Sequence, residues 1–469
     1  MNLKARQTIS PMVESIYTYT SRFWTIDYYG PEFISFMRIA TIIVLTVTPV
    51  FLLINVVYAL IVGFNILLFI LSVAPVVVLV VAPYFWRFIV KSGVDKELPA
   101  VLAYLMVYTK SPIHIADLIV KLKDERGFFW FRFESSRLKF LLDSGLDPLA
   151  ALKRLAETTP SKSFSSVLRD YTNAQILGAS RSQLSLILFN HALNSIREQW
   201  RAHIDFGKIV AEGIIAAIVS LIALTPVVLI GGSLSVLILV VPLVVAPAGA
   251  LAMLATRPSL GEYKLGYFET LITLAVPFTA VLINFKVSLE AGLAYLIGMT
   301  IVVESIAIGY RNLSHRAFQE LRIAIDEAKL GYIPEERLSR AERAAIGVIR
   351  AIISASRVAG TMGLSDALTQ LYSLIDEARR EAKSASVQAS ILALISIASV
   401  PMAIYSLQLL ASAIQSMPQL GNVSSINEIT TIIASTAPLV ALPASVLQRG
   451  WLITPVYPLL AQTLVLLIL

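Results

Sequence analysis

Catalysis by this chain would have to begin from a small set of residue groupings, and each lacks a part that its chemistry requires. Gly207-Lys208 is the sole Gly-Lys pair, so it is where a phosphate-binding loop is sought. Such a loop needs G-x-x-x-x-G-K-[ST]: glycines let backbone amides cradle phosphate, and the hydroxyl meets magnesium. Ala202 stands where the first glycine belongs and Ile209 where the hydroxyl belongs, so no nucleotide site is read here. The histidines are His114, His191, His203 and His315. They show no H-E-x-x-H spacing, and solvated or locally bonded imidazoles are expected rather than metal ligands. There is no G-x-S-x-G elbow to present a nucleophilic serine. The chain contains no cysteine, which removes disulfides and thiolate metal sites together. The reading is therefore of a protein that is not an enzyme, with no catalytic, cofactor-binding or metal site.

Charged side chains offer a second kind of chemistry. Glu212, Glu269 and Glu304 lie in or near apolar segments, and intramembrane acids are by default candidates for ion or substrate pathways. All three fall toward the cytoplasmic ends of their segments, where they reach water. Lys153, Arg154, Lys162, Arg169, Asp170 and Arg181 make charged faces on helices that are otherwise polar outside and apolar inside. Asn422-Val423-Ser424 is a glycosylation sequon in the one sizeable loop read as outer, and Asn422 is a candidate modification site in a host that glycosylates.

The element that must position these charges is the stretch 137–188. Gly145 follows the apolar residues Leu138, Leu141 and Leu142 and can take the left-handed conformation that ends a helix. Asp147 then stands at an N-cap with Pro148 at the first helical position. Leu149, Leu152, Leu155 and Ala156 form one stripe at helical spacing. Thr159-Pro160 ends that helix, because the residue before proline avoids the α region. Phe164, Val167, Leu168 and Tyr171 begin another stripe, which Gly178 closes. Ser180 and Gln183 have the spacing of a capping box. Upstream, Glu97-Leu98-Pro99 opens an apolar helix, Ser111-Pro112 makes a turn, and the aromatic run Phe128–Phe133 packs in the bundle or against lipid headgroups. The whole is a short helical bundle.

Composition puts that bundle in a membrane protein. The chain has 469 residues, 57% hydrophobic and 15% charged, with mean hydropathy +0.75. Soluble domains are nearer about 25% charged. Runs of roughly 20 apolar residues span a bilayer core of about 30 Å, and the sequence holds many. The alternation expected of a membrane barrel is missing. The predicted fold class is all-α: a polytopic helical membrane protein with about nine transmembrane helices and two cytoplasmic helical-bundle regions.

In order, residues 1–38 read as a cytoplasmic lead-in and 39–86 as a transmembrane hairpin. Residues 87–208 form the first cytoplasmic helical domain and 209–310 four spans. Residues 311–386 form the second cytoplasmic domain, with helices expected over 317–330, 334–357 and 365–383. Residues 387–469 hold three spans. Of all the Lys and Arg residues only Lys286, in the loop Asn284–Ser288, falls on the outside. By the positive-inside rule the N-terminus is cytoplasmic and the C-terminus outside, in a multi-pass cell-membrane protein. The net charge of +7 and pI near 9.4 then belong to cytoplasmic loops rather than to nucleic-acid binding. Gly363-Leu364-Ser365 before Ala367-Leu368 echoes Gly145-Leu146-Asp147 before Ala151-Leu152, a repeat signal between the two cytoplasmic regions.

The run of Glu97-Leu98-Pro99, Gly145-Leu146-Asp147-Pro148, Ala151-Leu152, Thr159-Pro160-Ser161, Phe164 and Gly178 resembles the cytoplasmic domain of the type II secretion F family. The nine-span layout with two such regions is similar to that family's archaeal branch, which includes the membrane platform proteins of archaeal type IV pili and the archaellum. Where many members carry a glycine, this chain has Ser111-Pro112. The shared residues, Pro99, Gly145, Asp147, Pro148, Pro160, Gly178 and Gly363, are caps and turns, and specify a fold.

The resemblance implies a platform protein that contacts a hexameric cytoplasmic secretion ATPase, couples it to extraction of type IV pilin subunits from membrane lipid, and forms a homodimer. Lys153, Arg154, Arg169 and Arg181 are the candidates for contact with that ATPase. The competing reading is a secondary transporter, which needs a substrate site near the bilayer midplane at broken helices.

Overall fold

The structure is a computed structural model. It describes residues 90–108, 114–125, 127–231, 245–258, 260, 267–345, 348–358, 364–416, 423–449, 453 and 455–469. The expected hairpin at 39–86, Ser111-Pro112, Gly363 and Asn422 lie outside the described residues. Those described are 89% helical, with no strand among them. They fall into two compact units, one of residues 90–98 with 114–180 and one of 99–108 with 181–469.

The first unit is the helical bundle. Helix α1 covers residues 90–108, of which 90–98 belong here. It is followed by α2 (Ile115–Lys121), α3 (Phe131–Asp143), α4 (Pro148–Thr158) and α5 (Lys162–Ile176). Asp147 accepts the Leu149 N–H at 3.0 Å and so caps α4, with Pro148 in the first turn. Thr159 is extended and ends α4. Gly145 and Gly178 have φ of 89° and 76°, the left-handed geometry that closes α3 and α5. The core is made by Leu138, Leu152, Leu155, Phe164, Val167 and Leu168, all buried. Phe128 and Phe131 of the aromatic run are buried with them, and Phe131 meets the Phe164 ring edge-on at 4.9 Å between centroids.

The second unit contains α6 (Arg181–Gly231), α7 (Ala246–Thr256), α8 (Tyr267–Lys286) and α9 (Leu289–Lys329). It continues with α10 (Glu335–Ala344), α11 (Val348–Val358), α12 (Leu364–Ser416), α13 (Val423–Val440), α14 (Leu442–Arg449) and α15 (Val456–Ile468). Three helical segments, Leu289–Lys329, Ser365–Ala413 and Ile426–Gln448, are long and apolar enough to cross a membrane. Membrane association is what they establish.

Three expectations change in detail. The expected boundaries at 208, 310 and 386 fall inside continuous helices: α6 is 51 residues long, α9 is 41 and α12 is 53. No Pro interrupts the chain at those points, and Gly207 and Gly309 are carried within helix, so the backbone ladder runs on from charged into apolar sequence. The helix expected over 334–357 is two, because Ala345 is extended (ψ 150°) and redirects the chain so that Ile352 and Ile353 are buried. The loop expected at Asn284–Ser288 shrinks to Val287 and Ser288, and Asn284 is a buried helical residue of α8.

α6 and α12 run parallel. Ser185 Oγ donates to Gln370 Oε1 at 3.0 Å, a separation of 185 residues, and Arg197 Nε to Glu377 Oε1 at 2.6 Å, a separation of 180. Further along, Ile214 and Ile218 join one apolar cluster with Ala393, Ile397 and Val400. The two helices are therefore joined in the polar half by paired side chains and in the apolar half by a shared core. Alanines at 393, 403, 434, 437, 441, 444 and 461 line this cluster, and small side chains let helix backbones approach closely.

Candidate functional site

The first unit is organised around its buried acids. Glu97 is 5% exposed and accepts the N–H groups of Trp130 and Phe131 at 2.9 and 3.1 Å, which caps the start of α3. Glu134 is fully buried, 3.0 Å from the Arg137 guanidinium, and accepts the Thr159 hydroxyl at 3.0 Å. Ser161 donates its hydroxyl to Asp95 while its oxygen accepts the Phe164 N–H at 3.0 Å, capping α5. The turn Thr159-Pro160-Ser161 is thus the point where two acids from other helices converge. Burial pushes the Glu134 carboxyl above its ordinary range, against the opposing pull of the Arg137 charge and the Thr159 hydrogen bond. Burial raises Asp95 too, opposed by the Ser161 hydrogen bond and then by Lys91. Each acid is spent on an N-terminus, a hydroxyl or a guanidinium. Their arrangement builds a rigid scaffold rather than an acid–base pair open to a substrate.

What α4 and α5 present outward includes the basic residues the sequence singled out. α4 buries Ala151, Leu152, Leu155 and Ala156, and the helical period therefore turns Lys153 and Arg154 to the surface, where both are exposed. α5 buries Phe164, Val167, Leu168 and Tyr171 and exposes Lys162 and Arg169. Lys153, Arg154 and Arg169 thus share one unit. Arg181 opens α6 in the other, and is also exposed. Arg154 pairs with Glu157 at 3.2 Å, but at 59% and 48% exposure the pair is weak and leaves the guanidinium available. Exposed apolar side chains accompany the charges: Phe140 at 67% and Leu177 at 86%. The same two helices also expose Glu157 and Asp170, so α4 and α5 present charges of both signs with basic ones in excess.

The remaining sequence candidates are used locally. Gly207-Lys208 lies inside α6, where no loop exists to cradle phosphate. Lys208 pairs with Asp205 at 3.3 Å. His114 caps α2 by accepting the Ala116 N–H at 3.3 Å, His203 lies 3.2 Å from the Thr256 hydroxyl, and His315 lies 2.9 Å from Gln319. Glu304 pairs with Arg311 at 3.5 Å, and Glu212 is exposed. Among the described residues no group of three His, Asp or Glu is placed to hold a metal ion.

One residue that the sequence marks only as a basic boundary proves to be internal. Arg257 is fully buried, donates to the carbonyls of Val446 and Leu447 at 2.7 and 3.3 Å, and lies 5.6 Å over the Trp200 ring. It ties the last turn of α14 to α6, a cation placed at the negative end of a helix dipole. Its only sequence signal is position: it follows α7 directly, where a lone arginine reads as a membrane-edge charge.

Comparison of the chain with family models, curated proteins and solved structures gives no match.

Proposed function

We propose that this chain is an integral membrane platform protein of an archaeal type IV pilus-like machine. In this reading its cytoplasmic regions meet a hexameric secretion ATPase, and its membrane helices carry that motor's movement to pilin extraction and filament assembly. The observation that carries the reading is the parallel pair of α6 and α12. Each runs without a break from a charged, polar half into an apolar half, and side-chain contacts join the two in both halves. A chain read as having no nucleotide site must take its energy from a partner, and continuous helices carry a push at one end to the other.

The basic residues of α4 and α5, Lys153, Arg154 and Arg169, supply the motor contact together with Arg181 of α6. The family resemblance in 97–178 supplies the partner class and the homodimer, and the positive-inside rule supplies the cytoplasmic N-terminus. Reversing Lys153→Glu and Arg154→Glu together is expected to abolish filament assembly and co-purification of the ATPase while membrane insertion stays normal. Normal filaments in that variant remove these residues from the contact, and co-purification of no ATPase by the full chain overturns the platform reading.

One observation favours a secondary transporter instead. The apolar segment Ile426–Gln448 carries Pro438 within its helix and is interrupted at Ala441, and Asn284, hydrogen-bonded to Ser435 of that segment and to the buried Gln462, lies beside it. Bent helices with buried polar groups are where transporters bind substrate. Solute uptake by the reconstituted chain would select that reading.

A further inference from the structure

Asn284 of α8 is 8% exposed and sits where four helices meet. Its Nδ2 donates to the backbone carbonyl of Ser435 in α13 at 2.9 Å and to Oε1 of Gln462 in α15 at 3.1 Å. Gln462 is fully buried, and its own Nε2 donates to the Leu289 carbonyl at the start of α9, at 3.3 Å. The network fixes its own polarity. Gln462 Nε2 faces a carbonyl, so Gln462 Oε1 must accept, and Asn284 must therefore offer its NH2 group to it.

The carbonyl chosen on α13 is significant. Pro438 lies inside that helix and has no N–H to return to Ala434, while its ring crowds the same turn. Carbonyls in such a turn need donors from elsewhere. Asn284 adds a donor in that turn at Ser435, next to the carbonyl of Ala434 that Pro438 leaves without one.

The other end of the carboxamide is equally specific. Asn284 Oδ1 has no hydrogen-bond partner among the described residues. It occupies the place that a side chain at position 292 would take, since a Cβ on Gly292 would lie 1.8 Å from it. The turn between α8 and α9 is only Val287 and Ser288, with Ser288 Oγ accepting the Ala291 N–H at 3.1 Å. So α8 and α9 close on each other with the carboxamide between them.

We propose that Asn284 is a positioning residue, a polar clasp that pins the proline bend of α13 to the α8–α9 hairpin and to α15, so that these four helices move as one block. The inference stands apart from the platform reading. It concerns which parts of the second unit are rigid with respect to each other, whatever the chain drives.

The absence of cysteine makes the test direct. Ile301 on α9 and Thr431 on α13 are both exposed, and Ile301→Cys with Thr431→Cys gives a spin-label pair in the full chain in lipid nanodiscs. A single narrow distance distribution is expected in the otherwise native chain. Asn284→Leu keeps the branching at Cγ and makes no hydrogen bonds. It is expected to broaden the distribution and to lower the melting temperature by roughly 5 °C.

Gly292→Ala should do the same, because the added methyl displaces the carboxamide. In an Asn284→Ala background Gly292→Ala should cost less than half as much, since the nearest obstacle is gone and only Ala280 O, at 3.2 Å, remains close. Native width and melting in Asn284→Leu overturn the clasp, and so does an equal cost of Gly292→Ala in both backgrounds. Should Asn284→Leu fail to reach the membrane, Asn284→Gln keeps the carboxamide but moves it by one methylene. A broadened distribution there supports the clasp, and an unchanged one sinks it.

Discussion

Arg137→Met tests the idea that buried acids hold the first unit together. Arg137 is 8% exposed and Glu134 fully buried, so the substitution leaves a carboxylate in the core with only the Thr159 hydroxyl as partner. Removing one member of a buried ion pair costs about 3–5 kcal/mol. Glu134 has an escape that limits the loss, because burial already favours its protonated form. As the pH falls, the orphaned carboxyl takes up a proton at a cost that shrinks by about 1.4 kcal/mol per pH unit. The penalty should therefore be about 3 kcal/mol at pH 8 and should fall as the pH is lowered, by at most about 1.4 kcal/mol per unit, until the carboxyl is protonated. Hydrogen exchange on the full chain in detergent reads this locally, in peptides spanning 131–176, where global unfolding of a membrane protein would not be two-state. At pH 8 those amides should open roughly a hundredfold more often than in the native chain, since 1.4 kcal/mol is tenfold. Glu134→Leu with Arg137→Met removes both charges and should recover most of the protection. A change of less than tenfold, a penalty that ignores pH, or a double variant no better than the single one would refute the argument.

Two further outcomes follow from the same unit. Because the folded-state affinities of Glu134 and Asp95 for a proton are raised, the folded unit binds those protons more tightly than the unfolded chain. The stability they contribute is complete below the ordinary carboxylate range and is lost as pH rises through the folded-state values. Intrinsic-rate-corrected exchange in 131–176 should therefore slow on mild acidification from pH 8, and Glu134→Gln should flatten that response. Gly93→Ala should destabilise α1 against α3 by about 1–3 kcal/mol, because the new Cβ would lie 2.2 Å from the Trp130 ring. A melting curve and near-ultraviolet signal identical to the native chain's would count against that packing.

The first bundle was largely legible from its punctuation. Gly145, Asp147, Pro148, Pro160 and Gly178 act through the backbone, and a residue that fixes φ, or caps its own helix, announces itself locally. The aromatic run was legible only as apolar, since spacing does not say which ring is inside. Phe131 is buried and Phe129 is 50% exposed, a choice made by α1 and α5. The long helices were the opposite case. Composition changes sharply at 208, 310 and 386, and a change in solvent looks like a change of element, yet backbone hydrogen bonding does not depend on which solvent surrounds it. Asn284 and Arg257 could not be read at all. Each sits at the end of a segment as a solvated polar residue would, and its partners lie 151 to 190 residues away in sequence.

Those long helices constrain how the apolar half of the pair can respond to a force on the polar half. At about 1.5 Å per residue, α6 and α12 are roughly 77 and 80 Å long, against an apolar bilayer core of about 30 Å. Each is thus far longer than a bilayer crossing requires. A linker between the two halves would absorb displacement in a few soft dihedrals, whereas a helix yields mainly where its ladder is weakened, as at Pro401 of α12. The two rods are fastened in the polar half by Arg197–Glu377 and by Ser185–Gln370. In the apolar half Ile214 and Ile218 of α6 and Ala393, Ile397 and Val400 of α12 enter one core, which also takes in Ala434 and Ala437 of α13 and Ala461 and Val465 of α15. Branched side chains packed this closely resist sliding as well as the polar fasteners do. Ser390 of α12 also lies 3.0 Å from the Tyr457 hydroxyl of α15, so a displacement entering the polar ends of the pair is passed to the block held by Asn284 rather than absorbed beside it.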